Sequence, residues 1–199
     1  VAPPADGDAG GRAGYSATDT ASVTVFKDGF QVGTAPLIAG RFTVPSAAGR
    51  YRVVQESSRS TPFTLSTKVS TTWTFRSGHL DGTAPQALPV SAIRFSPTLD
   101  STNKTPANCV FALPIQVQHQ PGSAAAGTAS FRLEVSYDDG QTWTRTPALG
   151  MGDHRVALVH HPTGSGFVSL RAAATDIAGN TVEETIIRAC LFPGSLVAY

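Results

Sequence analysis

Phe131-Arg132-Leu133-Glu134-Val135-Ser136-Tyr137 alternates at every step, with Phe131, Leu133, Val135 and Tyr137 on one side and Arg132, Glu134 and Ser136 on the other. Successive side chains of a β-strand point to opposite faces, so this run reads as a strand with one face on a core and one in solvent. Asp139-Gly140 turns the chain, and Gln141-Thr142-Trp143-Thr144-Arg145 returns. Aspartate-glycine between two β-rich runs is a hairpin signal, because both turn positions favour positive φ.

The same grammar extends in both directions. Toward the N-terminus, Ser22-Val23-Thr24-Val25-Phe26-Lys27 is followed by Asp28-Gly29 and Phe30-Gln31-Val32, a second hairpin. Strands are predicted over 42–44, 50–55 and 69–75, the last with Val69, Thr71, Trp73 and Phe75 on the core face. Further strands are predicted over 92–95, 110–118, 156–160, 168–174 and 181–189. Pro114 within 110–118 lacks an N–H, which predicts an edge position or a bulge there. Helical periodicity is nearly absent.

The chain is therefore expected to be all-β, as two antiparallel β-sandwich modules. Residues 1–15 read as a linker of Pro, Ala, Gly and Asp, suggesting that something once preceded them. Residues 16–78 form an N-terminal β module, 79–90 a Gly/Pro-containing linker, 91–192 a second module and 193–199 a tail. Turns every eight to twelve residues give the second module the rhythm of an immunoglobulin or fibronectin type III sandwich.

Charged residues are 15% of the 199, hydrophobic residues 41%, and the net charge is +1. That leaves apolar surface for a core but no electrostatic pull toward nucleic acid or an anionic membrane. No apolar run approaches the roughly 18 residues of a membrane-spanning helix.

Chemistry is sparse. Cys109 and Cys190 both lie in the second module, at strand ends, and as a pair in a secreted-type chain they read as a disulfide; two buried thiols are the alternative. Thr163-Gly164-Ser165-Gly166 lacks the spacing of a nucleophile elbow and reads as a glycine-rich loop. His160 and His161 point to opposite faces of a strand and do not chelate together. Asp138-Asp139-Gly140 and Asp176 with Asn180 serve their own turns better than a calcium ion, which wants six to eight oxygens. Glu183-Glu184 likewise diverge and read as solvated. Trp73, Trp143, Phe131 and Tyr137 offer either a sugar-stacking platform or core packing, and core is favoured because Phe131 and Tyr137 share a face with Leu133. No catalytic residue, metal site or cofactor loop is assigned.

Three segments carry a resemblance: Ser66 through Ser77 (STKVSTTWTFRS), Leu133 through Trp143 (LEVSYDDGQTW) and Val168 through Glu183 (VSLRAAATDIAGNTVE), continuing to Ala189. Together they resemble the C-terminal, non-catalytic region of secreted subtilisin-like serine peptidases from actinobacteria. The resemblance covers about residues 49–189. It implies a secreted, extracellular accessory region that stabilises the enzyme, docks against its catalytic domain or positions a protein or peptide substrate. The family's Asp, His and Ser catalytic motifs are missing, so no catalytic residue carries over, and the two cysteines are not part of the family pattern. The alternative is a stand-alone extracellular module that binds glycan or protein, favoured by an exposed Trp143. A peptidase inhibitor would need a rigid exposed loop, such as 163–166 or 121–128.

Overall fold

The computed structural model describes residues 18–79, 86–101, 103–105 and 110–192. The expected linker 1–15 and tail 193–199, part of the expected linker 79–90, and Cys109 fall outside them.

Among the described residues every element is a strand. The first six are β1 (Thr20–Lys27), β2 (Phe30–Ala35), β3 (Gly49–Ser58), β4 (Lys68–Ser77), β5 (Ser91–Phe95) and β6 (Val110–His119). The other six are β7 (Thr128–Ser136), β8 (Thr144–Thr146), β9 (Ala148–Leu149), β10 (His154–His160), β11 (Gly166–Asp176) and β12 (Thr181–Phe192). They form an eight-stranded sheet, β2-β1-β3-β4-β12-β11-β7-β8, and a four-stranded sheet, β5-β6-β10-β9. All the strand pairings are antiparallel.

Asp28-Gly29 closes a two-residue hairpin, Lys27↔Phe30, as read. Asp139-Gly140 instead sits inside a longer connection: β8 is only Thr144–Thr146, and β7 meets it from Val135↔Thr144, not directly across the turn. Asp28 and Gly29 have φ of 50° and 90°, and Asp139 and Gly140 have 57° and 85°. These are left-handed values that glycine adopts freely and aspartate tolerates. The strand expected over 42–44 does not form. Phe42 instead turns its ring back onto Gly33 and Gly40, where a Cβ on either glycine would overlap it. Residues 36–48 are a long connection between β2 and β3.

The two expected modules meet in one sheet. β4 pairs with β12 from Lys68↔Ile187 to Thr74↔Thr181. This pairing covers an edge of each strand, and an uncovered edge is a template for aggregation. The core is correspondingly continuous, from Val23, Val25, Tyr51 and Val53 through Trp73 and Phe75 to Leu133, Leu170, Val182 and Cys190.

Pro114 is not on an edge strand: β6 runs between β5 and β10. Val117 N–H bonds toward β10, at Asp153 O, whereas Pro114 O accepts from Ser96 N. N–H and C=O of one strand residue point the same way, so the proline nitrogen faces the β5 side just where β5 has ended.

The open edge of β5 is closed by two side chains of the large sheet. Trp73 Nε1 donates to Ser91 O at 2.7 Å. The Glu184 carboxylate accepts from Ile93 N–H. One supplies a donor and the other an acceptor to adjacent backbone groups that no strand pairs.

Candidate functional site

Three places gather functional groups or space. The first lies at one end of the small sheet. Ser91 Oγ is 2.8 Å from His119 Nδ1, and His119 Nε2 is 3.0 Å from Asp153 Oδ1. A serine, a base and an orienting carboxylate in series are the parts of an acyl-transfer site. Their burial runs the wrong way for one. Asp153 is more open than His119, while Ser91 borders, with residues of both sheets, a cavity of about 10 Å³ also bordered by Thr128, Asp176 and Asn180. That is room for about one water and not for a scissile bond. Asp153 Oδ1 also accepts from Thr128 N at 3.0 Å and Thr128 Oγ1 at 2.8 Å. Burial opposes its ionisation, but the bonds from Thr128 and His119 prevail and hold the carboxyl below its ordinary value. The array ties β5, β6, β7 and the approach to β10 together. Spacing could not reveal it, because its members stand 28 and 34 residues apart.

The second place is a cavity of about 460 Å³ over the inner face of β1, β3 and β4. Its floor is Val23, Val25, Tyr51, Val53 and Phe75, and the loop 36–48 forms a wall through Phe42 and Val44. Two buried polar side chains pin that wall. Gln55 Nε2 donates to Ile38 O at 3.0 Å, and Lys27 Nζ donates to Pro45 O at 3.0 Å and also to Ala47 O. His79 N–H adds a bond to Ser46 O at 3.0 Å.

The third is an aromatic stack around His161. Its ring lies between Phe111 (5.7 Å between centroids) and Phe192 (5.0 Å), with Tyr137 edge-on. Tyr137 Oη lies 3.2 Å from His161 Nδ1 and donates to His160 O at 3.0 Å. His161 Nε2 is buried with no hydrogen-bond partner among the described residues. Desolvation, with a smaller contribution from His160, lowers the imidazole pKa. His160 is exposed, so the two histidines do point apart as expected.

The remaining expected groups are placed as follows. Cys190 is buried with a free thiol, whose pKa burial pushes up to about 12; its expected disulfide partner, Cys109, lies outside the described residues. Asp176 accepts from Asn180 N and Nδ2, both at 2.8 Å, and Asp138 from Thr142 and Ser136, so both serve their own turns. Bonds from the Thr142 side chain and backbone take Asp138 down to about 2. Asp139 is paired with Arg188 at 2.6 Å. Among the described residues, no three His, Cys, Asp or Glu side chains gather into a metal-binding group.

Trp73 is core. Trp143 is half-buried, bonded through Nε1 to Gly140 O at 2.9 Å and covered by the Arg171 guanidinium 4.4 Å from its ring. The glycan-binding alternative leaned on an exposed Trp143, and the ring is instead partly covered. Glu183 is exposed, but Glu184 is not the solvated group expected: it faces inward, and desolvation raises its carboxyl to about 7 against the pull of Arg94 and Ile93 N–H.

The outer faces of the two sheets differ. Across the large sheet, Glu134, Arg171, Thr185, Ser70 and Glu56 form one polar row. Across the small sheet the rows are Leu149–Val156–Pro114, then Leu158–Ala112, then His160–Val110. Leu149 is 69% exposed, Leu158 58%, Val110 53% and Val156 43%. The outer face of an antiparallel sheet is ordinarily polar.

No family model, no curated protein and no solved structure matches this chain.

Proposed function

We propose that the chain is a non-catalytic accessory region of a secreted subtilisin-like serine endopeptidase, and that it docks against the catalytic domain through the outer face of the small sheet. The observation that carries this is the apolar character of that face. Its six apolar residues offer roughly 400 Å², the size of surface patch that on a monomer usually has a use. Matched by an equal area on a partner, it would bury about 800 Å², within the range of interfaces between domains of one polypeptide. On this reading β5 to β12 are an immunoglobulin-like sandwich, supported by the strand order. Lettered A to G with β8 as an extra strand beside C, β5-β6-β10-β9 reads A-B-E-D and β12-β11-β7 reads G-F-C, the arrangement of that fold. The disulfide Cys109–Cys190 is part of the proposal as the oxidised form, in which a bond to Cys109 would replace the buried Cys190 thiol.

The parent gene's full reading frame is expected to encode a peptidase domain. Mixed with this chain, that domain is expected to co-elute with it and to melt at a higher temperature. No co-elution, with activity and melting unchanged, refutes the reading.

A second reading, a stand-alone extracellular binding module, is favoured by the cavity over β1, β3 and β4. It predicts ligand binding by the isolated chain without any catalytic domain.

A further inference from the structure

The 36–48 loop has no strand or helix of its own. Connections of this length in a compact fold are uncommon and usually serve a purpose. Lys27 and Gln55 are each only 7% exposed, and both are committed to carbonyl groups of this loop. Burying a lysine and a glutamine is costly unless the bonds they make are needed. Here those bonds hold a wall at two points, near Ile38 and near Pro45 to Ala47, above an apolar floor. Between wall and floor the space stays open: about 460 Å³, within the range of pockets that take small ligands or side chains.

The chemistry of the lining narrows the occupant. Among the described residues that line it, none is Asp, Glu, Lys or Arg, and the one imidazole is that of His79 at the rim. A carboxylate or phosphate headgroup would find no lysine or arginine, and an ammonium no carboxylate. A sugar would present many hydroxyls to a floor of valine and phenylalanine. The polar side chains at the margin are Ser46, Ser77, His79 and Gln86, donors and acceptors of the kind that pair with amide groups.

We propose that this cavity binds an uncharged segment of extended polypeptide, taking one bulky apolar side chain onto Val25, Val53 and Phe75 while the margin meets the peptide's amides. The inference goes beyond accessory docking. It places a polypeptide-binding site on the opposite half of the molecule from the small-sheet face and holds whether or not a catalytic domain is attached.

The test uses the isolated chain and three probes: acetyl-Ala-Leu-Phe-Ala-amide, acetyl-Ala-Ser-Thr-Ala-amide and decanoate. The expected result is binding of the first with a Kd of roughly 0.1–1 mM, at least tenfold tighter than the other two. Amide shifts in the NMR spectrum should concentrate at Val25, Tyr51, Val53 and Phe75. Val44, on the wall, is 38% exposed; Val44→Asp should weaken the apolar peptide at least tenfold while leaving the melting temperature unchanged. Phe42→Ala, which loosens the wall, should weaken it as well. Equal binding of the two peptides, no binding of the apolar one, tighter binding of decanoate, or shifts that map to the small-sheet face would each overturn the proposal. Co-elution with a catalytic domain reads a different surface, so either proposal can fail alone.

Discussion

Replacing His161 with phenylalanine is expected to stabilise the protein, and to do so more strongly in acid. His161 is 9% exposed and its Nε2 has no hydrogen-bond partner among the described residues. Because the Tyr137 hydroxyl donates to His160 O, its oxygen is left to accept Nδ1–H, and Nε2 is then an acceptor with no donor among those residues. An unsatisfied buried polar atom costs about 1–3 kcal/mol, and the lost bond to Tyr137 contributed about 0.5–1.5 kcal/mol. Phenylalanine keeps the stacks on Phe111 and Phe192 and removes the orphan, for a net gain of about 1 kcal/mol, or roughly 2–4 °C in a chain of this size. The acid dependence follows from the direction of the pKa shift. The folded-state imidazole is depressed below its ordinary 6.5, so the folded protein favours the neutral ring. That stabilising contribution is fully present above the unfolded-state pKa and is lost as the pH falls through the folded-state value. Among the described residues, His160 and Tyr137 are the titratable groups that act on or touch the ring, and neither is a carboxylate that would hold an imidazolium. Urea unfolding of both forms at pH 8, 6.5, 5.5 and 5 should show the gap between them widening toward acid, at up to about 1.4 kcal/mol per pH unit. Parallel curves, or a variant less stable at pH 8, would refute the reasoning.

The inward-facing Glu184 predicts the opposite trend. Its carboxyl is raised to about 7, so the stability it allows is complete below pH 4.5 and is lost as the pH rises through 7. Glu184→Gln, which still accepts from Ile93 N–H, should match the parent near pH 4.5 and exceed it by about 1–2 kcal/mol at pH 8 in denaturant titrations. Leu158→Glu on the small-sheet face should leave melting within about 0.5 kcal/mol of the parent yet abolish co-elution with the catalytic domain. Ser91→Ala should cost about 1 kcal/mol for the lost bond to His119. The parent itself should take up no fluorophosphonate, and labelling at Ser91 would show that the array is reactive after all.

Strands were legible wherever one face met a core and the other met water. The alternation of 131–137 and the Asp28-Gly29 turn are local signals, and β7 and the β1–β2 hairpin formed accordingly, except that Ser136, expected on the solvent side, is buried with its hydroxyl bonded to Asp138 and Gly140 of the following turn. Phe42-Thr43-Val44 had strand composition yet pairs with no strand, although β2 leaves an edge free; its aromatic ring packs on Gly33 and Gly40 instead, a tertiary preference that no local pattern contains. Pro114 correctly flagged a missing backbone bond but not where that bond was dispensable. The joining of the expected modules through β4 and β12 was invisible, since alternation says which face is buried and not which edge is paired. For the same reason Glu183-Glu184 read as two solvated carboxylates: opposite faces were right, but the inward one meets the open edge of β5. The array of Ser91, His119 and Asp153 is assembled by register, and the cavity by a loop whose anchors, Lys27 and Gln55, look like ordinary polar positions on alternating strands.

The pairing of β4 with β12 also sets the order of events in assembly. Thr74 waits for Thr181, and with synthesis at roughly 5–20 residues per second that interval lasts several seconds. During it the hairpin and the two strands beside it present a bare, β-rich border with nothing to complete it. Contacts so far apart in sequence slow folding and lengthen exposure to self-association. A chain shortened before β12 would carry this immature state permanently. It would lose the neighbour of β4, the neighbour of β11 and the carboxylate that closes β5 in one cut, so the final strand acts as the clasp on which the rest depends.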